Sequence, residues 1–196
     1  MLNRLLLGAL ALLALTVPAF AHLDPNEHGS FLAGLSHPLF GLDHILAMVA
    51  VGLWAALIGG RAIWAVPLAF VLTMIAGFGL ALIGAPLPFV EPAILASVVV
   101  LGLVVALAMP VPVWAGVTLA GFFAVFHGHA HGGELGSAEL ASFGAGFAIS
   151  TAVLHAAGVG LGLGVGGLFA NRAKRAMTRS LGALTALAGV WLALGN

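Results

Sequence analysis

The sequence predicts an all-α polytopic membrane protein, with six transmembrane helices in one bundle after a cleavable signal peptide. Of its 196 residues, 62% are hydrophobic and only 6% are charged, and the mean hydropathy is +1.21. A soluble domain carries about 25% charged residues, so this chain lacks the polar groups to cover a water-facing surface. Beyond the N-terminus, six apolar segments approach the roughly 20 residues that a helix needs to cross a bilayer.

The N-terminus has the three parts of a secretory signal peptide. Arg4 lies in a short basic region, Leu5–Val17 form an apolar core, and Ala19-Phe20-Ala21 match the small-x-small cleavage rule. We expect residues 1–21 to be removed, so that 22–196 form the mature domain. The alternative is an uncleaved first anchor helix.

The six apolar segments are separated by short turn-forming stretches, without a soluble domain or an internal repeat. The segments are Leu39–Ile58, Ile63–Ile83, Pro92–Ala108, Val113–Phe126, Ala138–Phe169 and Met177–Leu194.

The basic residues orient these segments. With the mature N-terminus outside, the first and fifth connections face the cytoplasm and contain all the Lys and Arg of the mature chain, namely Arg61, Arg172, Lys174, Arg175 and Arg179. The positive-inside rule therefore predicts that both mature termini lie outside a bacterial cytoplasmic (inner) membrane.

Composition also limits the chemistry. The chain has no cysteine, so a bound metal must use nitrogen, oxygen or thioether ligands. The formal net charge is zero, and we expect no nucleic-acid partner. With the predicted topology, most His, Asp and Glu residues gather at the outer membrane face.

The stretch HPLFGLDHILAM holds the first group of candidate ligands. His37 precedes Pro38 and is biased away from helical geometry, so we expect the span to begin at Pro38. Asp43 and His44 then lie one to two turns inside, where ionisable groups are usually functional, and Met48 lies one turn deeper. The alternative is a carboxylate favoured by the helix dipole, with packing histidines.

The stretch FHGHAHGGE holds the second group. If the helix continued, His127, His131 and Glu134 would share one stripe and His129 would point away. The glycines favour an unwound segment that could turn all three imidazoles inward. Either geometry suits a divalent first-row ion. The alternative is a solvated His-rich loop.

Three further residues are candidates. Glu91 precedes Pro92 and is equally well a ligand or an acidic residue at a helix start. Thr151 and His155 lie one turn apart in the fifth segment, on the inner part of a possible path. An intramembrane histidine can instead hold two helices together.

HPLFGLDHILAMVAVG, FHGHAHGGE and HAAGVGLG resemble the HupE/UreJ family of nickel and cobalt permeases along essentially the whole mature chain. The resemblance implies uptake of Ni²⁺, or Co²⁺, for maturation of hydrogenase- or urease-type enzymes, with Zn²⁺ not excluded. It implies no prosthetic group. By this resemblance, the residues that would handle the metal are His37, Asp43, His44, Glu91, His127, His129, His131 and Glu134. From their positions in the spans, Met48, Thr151 and His155 are the candidates for the inner path.

Two other classes share these features. A zinc-dependent intramembrane hydrolase also needs buried histidines and a carboxylate. A metal-sensing or metal-delivery membrane protein would bind the ion without transporting it. The expected partners of the chain are a divalent metal ion and the lipid bilayer. Its glycine-rich helix faces would also permit a homo-oligomer.

Overall fold

The computed structural model describes residues 30–133, 139–168 and 171–195, which form helices and the short connections between them. The signal-peptide prediction and Glu134 lie outside these residues. The described helices are α1 (Ser30–Phe40), α2 (Leu42–Ile58), α3 (Ala62–Leu82), α4 (Val90–Leu107), α5 (Val113–Gly133), α6 (Leu140–Leu168) and α7 (Asn171–Ala193).

Helices α3 to α7 are each long and apolar enough to cross a membrane. Helices α1 and α2 pass the same test only together, and they meet at an angle of 81°. The described chain therefore has five spanning helices, or six if α1 and α2 form one broken span. The predicted all-α membrane fold is confirmed.

The start of the first span differs from the prediction. His37 and Pro38 lie within α1, and the chain breaks after them, at Gly41, where the backbone is extended (φ −90°, ψ 112°). Helix α1 packs closely on α6, because Gly34 has no side chain to separate it from the carbonyl oxygen of Phe143, and this contact favours helix through His37 and Pro38. This packing outweighs the local bias of a residue before proline.

The expected unwinding after Phe126 is also wrong, because α5 continues without a break to Gly133. Gly128 and Gly132 in this stretch face α3. A Cβ at Gly128 would lie 1.8 Å from the carbonyl oxygen of Met74, and one at Gly132 would lie 2.7 Å from that of Phe78. These glycines therefore allow two helix backbones to touch, as small residues do in membrane bundles, and do not end the helix.

The remaining bounds differ less. Helix α4 begins at Val90, two residues before the predicted start at Pro92. Helix α7 begins at Asn171 and so includes the polar turn before its apolar crossing segment, Arg175–Ala193. Helix α6 is one unbroken helix of 29 residues. The apolar segments of the sequence predict the part of each helix that crosses the lipid, whereas the helices themselves extend beyond that part.

The two ends of the bundle have different side chains. At one end, Arg61 precedes α3 and the Arg179 Nε donates a hydrogen bond of 2.7 Å to the carbonyl oxygen of Ala106, near the end of α4. Trp64 and Trp114 are exposed near the same end, where a membrane protein places an aromatic belt. The histidines described below lie at the opposite end.

We expect Gly128→Ala to destabilise the protein. The added methyl group would push α5 away from the Met74 backbone, and overpacking of this kind typically costs about 1–3 kcal/mol. Thermal unfolding of purified protein in detergent would then shift down by about 2–4 °C for each kcal/mol.

Gly79→Ala is the matched control for this substitution. Gly79 also lies inside a helix, and a Cβ there would meet nothing within 4 Å. Alanine also has the higher helix propensity, so this variant should keep or raise the unfolding temperature. Equal destabilisation of both variants would contradict the packing role of Gly128.

Candidate metal site

Four histidines from three helices meet at one end of the bundle, and we call them the imidazole cluster. They are His37 of α1, His44 of α2, and His127 and His131 of α5. The His131 ring centroid lies 4.5 Å from that of His37 and 4.5 Å from that of His44, and the His44 and His127 centroids are 4.8 Å apart. Two sequence segments predicted to share a site are therefore brought together.

Helix geometry explains the cluster. His127 and His131 lie one turn apart, so both project from the same side of α5. The bend between α1 and α2 brings His37 and His44, which the sequence separates by seven residues, against that side. Both residues contact His131.

Three of the four rings in the cluster are shielded from water. His127 is fully buried, and the side chains of His44 and His131 are buried as well. Phenylalanine rings cover it, with the Phe147 ring centroid 4.3 Å from that of His131 and the Phe143 centroid 5.7 Å from that of His37. Polar contacts in such a low-dielectric environment are stronger than in water.

Asp43 orients His44. One carboxylate oxygen, Oδ1, accepts hydrogen bonds of 2.8 Å from both the backbone N–H and the ring Nδ1–H of His44. This contact assigns the ring hydrogen to Nδ1 and leaves Nε2 with its lone pair. The Nε2 atom is buried and has no hydrogen-bond partner among the described residues.

Ser97 of α4 orients the ring of His127. The Ser97 hydroxyl has one proton, which it donates to the carbonyl oxygen of Ile94 at 2.6 Å. It must therefore accept from His127 Nε2–H, at 3.0 Å. The Nδ1 atom of His127 keeps its lone pair and, within the described part of the chain, has no hydrogen-bond partner.

Other predicted residues lie apart from these contacts. His129 points away from the cluster, and its Nε2 donates a hydrogen bond of 2.8 Å to the carbonyl oxygen of Ala85 in the connection after α3. Glu91 is exposed in the first turn of α4, the position of an acidic residue at a helix start. Neither residue is brought to the imidazole cluster.

The predicted inner residues are buried among α2, α3 and α6. Met48, Thr151 and His155 are each no more than 1% exposed. The Thr151 hydroxyl donates a hydrogen bond of 3.6 Å to the sulfur of Met74. His155 contacts the ring of Phe70, with centroids 4.9 Å apart.

Sequence reasoning missed Ser97 and Phe70. Ser97 is the one hydroxyl in the apolar run from Pro92 to Leu107, and this isolation is a signal that could have been used. Phe70 is one of 12 phenylalanines, and nothing in its sequence context distinguishes it.

The cluster does not form a closed metal site as it stands. Among the residues that the structure describes, no three His, Asp or Glu side chains are arranged to hold one ion. A metal–imidazole bond is about 2.0–2.1 Å long, so the rings would have to rotate to direct their nitrogen atoms at one ion.

The fold and the paired motifs agree with a comparison to known proteins. Residues 10–192 match the HupE / UreJ protein family. The chain belongs to the HupE/UreJ family. Protein HupE of Rhizobium leguminosarum bv. viciae is 46% identical to it over 186 residues, which cover 94% of this chain and 95% of that protein. No solved structure matches the chain.

Membership of the HupE/UreJ family fixes the class of this protein. The family consists of membrane transporters associated with nickel uptake, not of enzymes. The alternative of a zinc-dependent intramembrane hydrolase is therefore wrong, and a membrane protein that binds metal without transport does not fit the family either.

We expect a double-mutant cycle to detect the contact between Ser97 and His127. The variants are Ser97→Ala, His127→Phe and the double substitution, and the measurement is the free energy of unfolding in detergent. Side-chain hydrogen bonds between membrane helices contribute on average about 0.6 and at most about 1.7 kcal/mol, and the coupling should fall in this range.

Ser97→Thr is the control, because it keeps the hydroxyl group. It should retain coupling to His127 that Ser97→Ala loses. Additive effects in the cycle would show that the hydroxyl does not hold the imidazole.

Proposed function

We propose that this protein is a secondary permease that takes up Ni²⁺, or Co²⁺, through the imidazole cluster, for maturation of hydrogenase- or urease-type enzymes. The observation that supports this most directly is the meeting of four imidazoles from three helices at one end of a membrane bundle. Neutral imidazole is a ligand suited to these ions, and family membership agrees with nickel as the substrate.

The oriented rings support binding by His44 and His127. Asp43 and Ser97 each accept the single ring hydrogen of their partner, so the second nitrogen of each ring is a free electron-pair donor. A carboxylate behind a histidine ligand raises its basicity and fixes its orientation. In this proposal Asp43 also supplies negative charge near the ion.

His131 and His37 complete the binding set. His131 contacts both His37 and His44, so a rotation of its ring can bring it to an ion held by His44. His37 is half-buried, and we assign it to the passage of the ion from the surface to the buried rings. Glu91 and Glu134 would then attract the ion before it enters.

We propose that the cluster faces outward across a bacterial cytoplasmic membrane. Arg61 and Arg179 lie at the opposite end of the bundle, which the positive-inside rule assigns to the cytoplasm. Since the chain contains no cysteine, Met109→Cys introduces one thiol, at an exposed position in the connection between α4 and α5 at the same end as Arg179.

A membrane-impermeant maleimide tests this orientation. It should label the Met109→Cys variant in inside-out vesicles and leave it unlabelled in intact spheroplasts. Labelling in spheroplasts would reverse the assignment.

Uptake of ⁶³Ni²⁺ into proteoliposomes tests the proposed function. Wild-type protein should load the vesicles above the level of empty liposomes. His131→Ala removes the ring that contacts two other imidazoles, and we expect uptake to fall at least tenfold, within the range found when metal-site residues are altered.

His129→Ala is the matched control on the same helix. Its ring bonds to Ala85 outside the cluster, so this variant should keep at least half of the wild-type uptake. Absence of uptake by the wild type would overturn the permease proposal, and equal loss in both variants would overturn the role assigned to the cluster.

A further inference from the structure

Phe70 of α3 lies between the imidazole cluster and His155. Its side chain is fully buried. Its ring centroid lies 5.5 Å from that of His127 and 4.9 Å from that of His155. One phenyl ring therefore contacts a histidine of the cluster and a histidine deeper in the bundle.

The depth of His155 follows from the register of α3 and α6. Phe78 stacks on Phe143, Thr151 binds Met74, and Phe70 contacts His155, so successive turns of the two helices face each other. His155 lies eight residues beyond the Phe147 that contacts the cluster, which corresponds to about 12 Å along a helix.

In the part of the chain that the structure describes, His155 is buried without hydrogen-bond partners, as expected of a side chain that binds a ligand. The residue is 1% exposed, and among the described residues neither ring nitrogen has a hydrogen-bond partner. An imidazole has at least one donor and, when neutral, one acceptor, and leaving both without partners in an apolar interior is costly. Such a group calls for an explanation, and a ligand is one.

The surroundings leave space beside this ring. A surface groove of about 450 Å³ runs between α3 and α6, with the exposed Leu68 at its rim and the buried His155 as the polar residue at its base. One turn toward the cluster, the Thr151 hydroxyl and the Met74 sulfur add polar and polarisable atoms.

We propose that His155 is a second, inner binding position for the transported divalent cation, and that the Phe70 ring separates it from the imidazole cluster. This inference rests on the proposed function. The cation leaves the lone pair of His127, passes when the Phe70 ring rotates aside, and is accepted by a nitrogen of His155. When the Phe70 ring has rotated, its face attracts the passing cation. In its resting orientation the apolar ring excludes water from His155.

Two binding positions in series allow the protein both to capture the cation and to release it. One deep site would hold the ion too tightly to leave, and a second ligand at a short distance lets the ion exchange partners in steps. Phenylalanine suits the separating position because its ring has no polar atom that would compete for the ion.

The first test measures access to position 155 without any nickel. Since the chain has no cysteine, His155→Cys introduces its only thiol. The rate of modification by 2-aminoethyl methanethiosulfonate, followed by mass spectrometry in proteoliposomes, should rise at least tenfold when Phe70→Ala is added.

Val66→Ala is the matched control for Phe70→Ala. Val66 is also fully buried on α3, one turn away, and it faces the position of Gly116 on α5. Adding Val66→Ala to His155→Cys should leave the modification rate within twofold. Equal rates with and without the Phe70 ring would overturn its separating role.

The second test concerns the inner position itself. His155→Phe keeps a ring of similar size but has no ligand atom, and it should lower the maximal rate of ⁶³Ni²⁺ uptake at least tenfold while the KM stays within twofold, because capture at the cluster is intact. An unchanged maximal rate, in protein with wild-type unfolding temperature, would overturn the inner site. If wild-type protein imported no nickel, the proposed function would fail, and the thiol rates would still decide the role of Phe70.

Discussion

Backbone contact between α3 and α5 is the constraint on which the imidazole cluster depends. Gly128 and Gly132 pack against α3, and a side chain on Gly128 would collide with the Met74 carbonyl group. His127 and His131 immediately precede these glycines and share their spacing of four residues. Since a helix turns about 100° per residue, the glycine stripe and the histidine stripe lie side by side. The contact that fixes α5 against α3 therefore also aims both imidazoles toward α1 and α2.

The second requirement is that each ring be held in one tautomer. Inside a bilayer a histidine cannot rely on water for its partners, and Asp43 and Ser97 supply acceptors from within the protein. Because each partner occupies one nitrogen, the other is available as a ligand atom. Helix packing fixes the positions of the His44 and His127 rings, and these two hydrogen bonds fix their tautomers.

Features that depend on neighbouring residues in the chain can be predicted from the sequence, whereas features that depend on contacts between helices cannot. Composition and apolar length are sufficient to predict the membrane fold, and the two histidine motifs are sufficient to place their side chains at one membrane face. The hydrogen bond between Asp43 and His44 is seen only in the structure. Helix α1 was missed because 11 residues cannot span a bilayer and Pro38 was interpreted as a helix start. The glycines after Phe126 were interpreted as a break because their role depends on α3, some 50 residues earlier in the chain. Ser97 and Phe70 act across helices, and only the register between helices reveals them.

The charge balance of the cluster fits an ion that has to leave again. Asp43 contacts the cluster through His44, whereas Glu139 is exposed and bonded to Ser142. In the permease proposal the four imidazoles bind the ion as neutral ligands. Among the described residues Asp43 is the carboxylate that contacts the cluster, and it would compensate half the charge of a divalent ion. A structural zinc site instead surrounds its ion with four fixed ligands, often thiolates, and keeps it. In this proposal, incomplete charge compensation and donors that have to rotate to meet would keep the affinity of the cluster low enough for a transporter to release its substrate.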